Sequence, residues 1–343
     1  MLGVSVSKNM AEGLRGELSI SRLVDKSRAI LERDDKILIP LLSDPGEGIL
    51  SRYGAEKVEI DFPERDSPRV DPIEIVRSLA RIPGPLKKSL PGKWERFGDV
   101  AIIRLTKELE PYAREIGEAY AVGLNLKAVL RDKGGITGEF REPLTEILYG
   151  TDTETTHIEN GVKFRLDAAR TMFSSGNEEE RIRMAAIKCD DDTVVDMFAG
   201  IGYFSIPMAV YQKPAKIVAC EINPAAYRFL VKNVSLNKVE KVITPVLGDN
   251  RGLPGESIAD RVIMGYVKTT HEFLPTAVRL VKDGGIIHYH ETCPNALLPG
   301  RPLQRLRAAV PEGRLEVLRS KEIKSYAPGV SHVVVDARIF KRA

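Results

Sequence analysis

The sequence predicts an α/β protein: a doubly wound parallel sheet that closes in an antiparallel hairpin, preceded by a smaller α+β domain. Three observations predict it. Between about residues 177 and 309, apolar runs of strand length alternate with segments of helical period, the order that builds a parallel sheet with helices on its faces. At the head of this series stands Thr193-Val194-Val195-Asp196-Met197-Phe198-Ala199-Gly200-Ile201-Gly202-Tyr203-Phe204-Ser205, where a β-branched run passes through a glycine-rich turn into a helix. The last two strand-like runs, near 315–324 and 331–340, have no helix between them and should pair antiparallel.

Taken in order, residues 1–35 read as helical, with Leu14, Leu18, Leu23, Ile30 and Leu31 as apolar anchors. A strand from Lys36 to Leu41 and the turn Ser43-Asp44-Pro45-Gly46-Glu47-Gly48 follow. Val58 to Phe62 alternates like a half-exposed strand, and Pro72 opens a helix to about Ile82. The Pro/Gly-punctuated loop from Pro83 to Arg96 carries four basic residues and Trp94. It reads either as an RNA-backbone contact with a stacking residue or as a solvated loop anchored by its tryptophan. Phe97 to Leu105 is a strand, Lys107 to Leu124 an amphipathic helix, and short strands follow near 127–131 and 138–140. Asn160-Gly161 between Thr155–Glu159 and Val162–Leu166 is a hairpin signal. The boundary is placed near residue 150, giving an α+β domain over 1–150 and a catalytic domain over 151–343. In the latter, helices are expected at 177–188, 203–212, 224–236, 270–281 and 301–309. Strands are expected at 193–198, 216–221, 242–247, 260–265 and 284–291.

A chain of 343 residues is long enough for two domains. No apolar run is long enough to span a bilayer, and the N-terminus lacks the apolar core and cleavage site of a signal peptide. Cys189, Cys220 and Cys293 have no CxxC partner, so neither a zinc site nor a disulfide framework is indicated, and a reducing cytoplasm is the expected home. His157, His288, His290 and His332 are not spaced on one helical face, and His288 and His290, which share one strand face, lack a third ligand, so no metal is expected. Residues 1–155 hold 24 basic against 27 acidic side chains, and residues 156–343 hold 27 against 21. Nucleic-acid contact must therefore rely on local patches, of which Arg301, Arg305, Arg307, Arg314 and Arg319 form one candidate.

The glycine turn is one part of a constellation. Gly200 and Gly202 let the backbone pass close to a bound molecule. Glu221 closes the second strand 19 residues after Gly202, where a carboxylate accepts from both hydroxyls of a ribose. Asp249 closes the third, where it accepts from an adenine amino group. The pattern from Gly200 is GxGxxS rather than a dinucleotide fingerprint, and Asp196 in the strand is likewise unlike a dehydrogenase. Asp196, Gly200, Glu221 and Asp249 in this order resemble the class I S-adenosylmethionine (AdoMet)-dependent methyltransferase fold.

The run from Leu166 to Arg183, with His157-Ile158-Glu159-Asn160-Gly161 before it and His332-Val333-Val334-Val335-Asp336 near the end, resembles the tRNA guanosine-37 N1-methyltransferase superfamily over about residues 95–343. The small extra N-terminal domain that many archaeal members carry is expected to be absent or reduced. One motif departs. Where those methyltransferases carry an Asn-Pro-Pro-like or Asn-Leu-Pro-like segment, this chain has Gly265-Tyr266-Val267, and Phe173-Ser174-Ser175-Gly176-Asn177 replaces a Phe-Ser-Pro-Arg-type run. Both features resemble the paralogous archaeal wybutosine-synthesising protein 2 family. That resemblance implies transfer of the 3-amino-3-carboxypropyl group of AdoMet to 4-demethylwyosine at position 37 of tRNA(Phe), in the anticodon region, by a monomeric cytoplasmic enzyme without a metal. The alternatives are guanosine-37 N1 methylation and a non-catalytic RNA-binding module on a vestigial AdoMet fold.

The resemblance also implies roles. Phe173, Ser174, Arg181, Asp249 and Asn250 join Asp196, Gly200, Gly202 and Glu221 at AdoMet, with Arg181 pairing the methionine carboxylate. Glu180 matches the position of a proposed base and Arg141 that of an arginine near the active site. Tyr266 reads either as a residue that stacks on the tricyclic base or as a packing residue.

Overall fold

The computed structural model describes the chain except residues 65–70, 138–141, 268 and 342–343. It divides into two units: residues 1–93, 105–126 and 158–161, and residues 94–104, 127–157 and 162–343. The first unit begins with a strand, not the expected helix. Val4 and Val6 alternate with Ser5 in β1 (Leu2–Ser7), and both valines are buried. After α1 (Lys8–Ile20) come β2 (Leu31–Arg33), β3 (Lys36–Pro40), α2 (Glu47–Tyr53) and β4 (Glu56–Glu59). The strands pair antiparallel in the order β2-β3-β1-β4. Val4, Val6, Leu14, Leu18, Ile39, Leu41 and Leu50 form their own core, so a small N-terminal α+β module is present where an absent or reduced one is expected. The unit also holds α3 (Pro72–Leu79), capped by Asp71, together with α4 (Gly84–Lys87) and α5 (Ala113–Leu124).

The second unit contains a four-stranded sheet of β5 (Glu95–Phe97), β6 (Val100–Ile103), β7 (Ala128–Thr137) and β8 (Glu142–Tyr149). It also holds most of the hairpin β9 (Glu154–Glu159) and β10 (Val162–Asp167), whose turn residues Asn160 and Gly161, counted with the first unit, both lie at positive φ as the Asn-Gly signal demands. Then α6 (Glu178–Ala186), β11 (Thr193–Asp196), α7 (Ser205–Tyr211), β12 (Lys216–Glu221), α8 (Pro224–Leu236), β13 (Ile243–Leu247), β14 (Ala259–Met264), α9 (Leu274–Leu280), β15 (Val281–Pro294), α10 (Gly300–Ala309), β16 (Arg314–Ala327) and β17 (Val330–Phe340) complete it. The seven-stranded sheet runs β13-β12-β11-β14-β15-β17-β16. Its first five strands are parallel, and β17 and β16 pair antiparallel as expected. Burial on both faces explains the near-continuous apolar strands: Val194, Ile217 and Ile263 join one core, and Val195, Val262 and Ile287 the other. The parallel order places the C-terminal ends of β11, β12 and β13 side by side, beneath the loops that make the site.

Candidate active site

β11 delivers Asp196 to the turn, but the carboxylate points away from the site. It is fully buried; Oδ2 accepts from Ser205 Oγ at 2.6 Å and Oδ1 from the Phe198 amide at 3.2 Å. Burial pushes its carboxyl up to about 6. The turn it ties down needs glycine twice. Gly200 sits at φ +59°, where a Cβ would lie 2.4 Å from Tyr203 Cε2. Gly202 sits at φ +101°, where a Cβ would lie 2.3 Å from Ile206 Cδ1.

Glu221 ends β12 beside this turn. Its Oε2 accepts from the Gly200 amide and its Oε1 from the Asn223 amide, each at 2.8 Å, so the carboxylate is oriented before any ligand arrives. After β13, the Asp249 carboxylate pairs with Arg251 Nε at 2.9 Å and accepts from the Arg251 amide at 2.9 Å. The Arg251 side chain holds Asp249 below the ordinary carboxylate range. Asn250 donates through Nδ2 to Met197 O at 2.8 Å, while its Oδ1 is buried without a hydrogen-bond partner among the described residues. Beyond β14, the Tyr266 ring stacks on Phe198 with centroids 5.1 Å apart and planes 18° from parallel. These residues, with the 170–177 segment and parts of β16 and β17, line a cavity of about 670 Å³.

The opposite wall is built from the segment before α6. Phe173 packs among Phe97, His157, Phe164 and Tyr203. Arg181, 2% exposed, lies with its guanidinium 4.7 Å from the Phe173 ring centroid and donates to Ser174 O at 2.8 Å. Lys324 of β16 reaches across to donate to Ser174 Oγ at 2.7 Å.

The cavity thus brings together Phe173, Ser174, Arg181, Gly200, Glu221, Asp249, Asn250 and Tyr266. Asp196 and Gly202 do not line it; they shape the turn from behind. Glu180 does not line it either. It faces inward from the first turn of α6, 2% exposed, and Arg183 binds both its oxygens at 2.6 and 2.8 Å. Arg183 continues to Asp336 at 2.7 Å, and Asp336 to His288 Nδ1 at 2.7 Å. Burial opposes ionisation of Asp336, yet His288 and Arg183 hold its carboxyl well below the ordinary range. His290 Nε2 is 3.6 Å from Glu180 Oε1, and its Nδ1 is 3.1 Å from Nε2 of His332, which lines the cavity. Burial pushes His290 down to about 3. Arg141 lies outside the described residues. Glu95, Lys324 and Tyr326 line the cavity without a sequence signal, because only tertiary pairing brings them there, while His332, part of the C-terminal motif, lines it too. Among the described residues, no group of three or more His, Cys, Asp or Glu side chains is placed to hold a metal.

The lining fits AdoMet. The preset Glu221 carboxylate suits a ribose diol, the orphaned Asn250 Oδ1 calls for a donor such as an adenine amino group, and Arg181 supplies a cation for a carboxylate. Comparison with known proteins agrees. Residues 155–318 match the TRM5/TYW2 methyltransferase domain and residues 75–153 the TYW2 N-terminal domain. The chain is 52% identical over 262 residues to the tRNA(Phe) (4-demethylwyosine(37)-C(7)) aminocarboxypropyltransferase of Pyrococcus horikoshii, covering 76% of this chain and 94% of that one. It is 49% identical over 249 residues to the Methanocaldococcus jannaschii protein of the same name, covering 72% and 97%. The crystal structure of P. horikoshii TYW2 in complex with MeSAdo superposes with a TM-score of 0.73 at 47% identity, covering 78% of this chain and 99% of that one.

Proposed function

The chain belongs to the TRM5/TYW2 methyltransferase family, and we propose that it transfers the 3-amino-3-carboxypropyl group of AdoMet to C7 of 4-demethylwyosine at position 37 of tRNA(Phe). The observation that carries this reading is the 52% and 49% identity to two enzymes named for that reaction. The cavity supports it: the residues suited to adenosine are intact, while Gly265-Tyr266-Val267 offers no amide side chain to hold a guanine edge. C7 forms a bond to the methionine-derived Cγ, the Cγ–S bond breaks with its electron pair passing to sulfur, and C7 loses its proton. Methylthioadenosine leaves. All three carbons on a sulfonium are electrophilic, so the enzyme selects by positioning.

In this reading Glu221 binds the ribose hydroxyls, Asn250 and Asp249 the adenine, and Ser174 and Arg181 the amino-acid end over Phe173. Gly200 lets the backbone approach, with Asp196 and Gly202 fixing the turn. Tyr266 on Phe198 offers the flat surface for the tricyclic base. Glu180, held by Arg183, acts through the buried network instead of as a base in contact with substrate. The partner is tRNA, engaged at its anticodon region by a monomer. Residues 151–343 do the chemistry, and residues 1–150 supply tRNA contact and support. No described helix is long and apolar enough to cross a membrane, and a cytoplasmic site of action is part of the proposal.

The deciding experiment supplies AdoMet labelled either on its methyl or on its carboxyl carbon. The carboxyl label should enter tRNA while the methyl label stays with methylthioadenosine; tRNA labelled only from the methyl would establish methylation in its place.

A further inference from the structure

Three charged side chains from distant parts of the chain meet at the dipeptide Ser174-Ser175. Arg181 donates to the main-chain oxygen of Ser174 at 2.8 Å, and Lys324 donates to its hydroxyl at 2.7 Å. Ser175 Oγ donates to Glu95 Oε2 at 3.2 Å. All five residues line the cavity. The β16–β17 register sets Lys324 opposite His332, which fixes the stem of the lysine at the cavity wall. Gly176 adds to the fit: a Cβ there would stand 3.1 Å from Lys324 Nζ, close enough to shift the ammonium by a few tenths of an ångström.

Two cations on one residue and a carboxylate on the next form a charge pattern complementary to an α-amino acid, whose carboxylate and ammonium are separated by one carbon. We propose that Lys324 and Glu95 are specificity-determining residues that read the donor's amino-acid zwitterion. Lys324 joins Arg181 on the carboxylate, and Glu95 takes the ammonium. The inference rests on the transferase reading above. It adds that the group to be transferred is gripped at both its charges, which holds Cγ in line while the methyl stays unengaged.

Methylthioadenosine shares the adenosine and sulfur of AdoMet but lacks the zwitterion, so it separates this role from a structural one. Titration calorimetry of the full chain with both ligands should show Lys324→Met weakening AdoMet by roughly ten- to hundredfold, with methylthioadenosine changed less than about twofold. Lys324→Arg should recover most of the AdoMet affinity. Glu95→Gln, at a more exposed pair, should weaken AdoMet about two- to fivefold with methylthioadenosine unchanged. Equal loss of both ligands in Lys324→Met, or loss of neither, would overturn the proposal. Because the contrast is in binding, it is read without turnover: a wild-type enzyme that moved the methyl group would refute the transferase reading while leaving this result to stand or fall separately.

Discussion

Replacing Asp196 by asparagine tests whether this acidic residue, fully buried and off the cavity lining, serves only to hold the glycine turn. Its carboxylate is fully buried among Ser205, the Phe198 amide and a core. Burial raises its pKa from 3.8 to about 6, and the nearby Glu221 charge adds to the rise against the hydrogen bonds from Ser205 and Phe198. Between pH 4 and 6 the folded chain therefore keeps a proton that the unfolded chain releases. Stability from this group is greatest below about pH 4 and falls as pH rises through 6; above that, both states are ionised and the folded one carries the cost. A rise of about two units at 1.36 kcal/mol each gives about 3 kcal/mol across the window. Asparagine has no such titration. It keeps an acceptor for the Phe198 amide and meets Ser205 with a donor.

The assay is urea unfolding of both proteins from pH 4 to pH 8. Wild type minus Asp196→Asn should lose about 3 kcal/mol of relative stability over that range, favouring the variant on the alkaline side. Subtraction cancels the other carboxylates, including Asp336, whose depressed pKa makes the opposite contribution in acid. AdoMet affinity at pH 7.5 should stay within about threefold, the ligand having no contact to lose. A stability difference independent of pH would refute the buried-carboxyl argument. A hundredfold loss of affinity in a folded variant would refute the placement behind the site.

Two further outcomes follow from the cavity walls. Glu221→Ala removes the acceptor of two backbone amides and the proposed acceptor of the ribose, so AdoMet and methylthioadenosine should weaken together by roughly ten- to hundredfold in calorimetry, and undiminished binding of either would exclude the ribose role. Tyr266→Phe should keep the stack on Phe198 and full activity, whereas Tyr266→Ala should lower kcat/KM for tRNA about tenfold with the AdoMet KM unchanged; equal behaviour of the two variants in steady-state kinetics would remove base stacking from the account.

Elements with local determinants could be read from the chain. α8 and β12 match their expected limits because Asn223 caps the helix, accepting from the Ala225 amide, and Pro224 takes its first position. The Asn160-Gly161 turn was legible for the same reason: its positive φ values are chemistry of those two residues. The first strand was not. Leu2–Ser7 is short, and the anchors from Leu14 onward drew a helical reading back over it, although Val4 and Val6 lie on one face at strand spacing. Glu180 shows the limit at a single residue. In Glu178-Glu179-Glu180 the three carboxylates look alike, and only Arg183 one turn on, with Asp336 across the sheet, shows which of them points inward.

The same distinction divides the site into two halves. Gly200, Glu221 and Asp249 follow three strands that are neighbours in the sheet, each reached from the last by one crossover, so their order in the sequence is their order in space. A proposed adenosine-binding half built this way is visible in the chain as a regular spacing. The half proposed to select the transferred carbon is built otherwise. Lys324 arrives on β16, which is separated from β15 by β17, and Glu95 comes from a different sheet 80 residues before its Ser175 partner. No spacing rule connects such residues, because the contacts depend on antiparallel register and on pairing between separate sheets. If the tail is held as proposed, the adenosine signals do not by themselves choose the reaction: Ser174 and Arg181 are legible from the chain, whereas Lys324 and Glu95 reach the same wall only through the folded pairing.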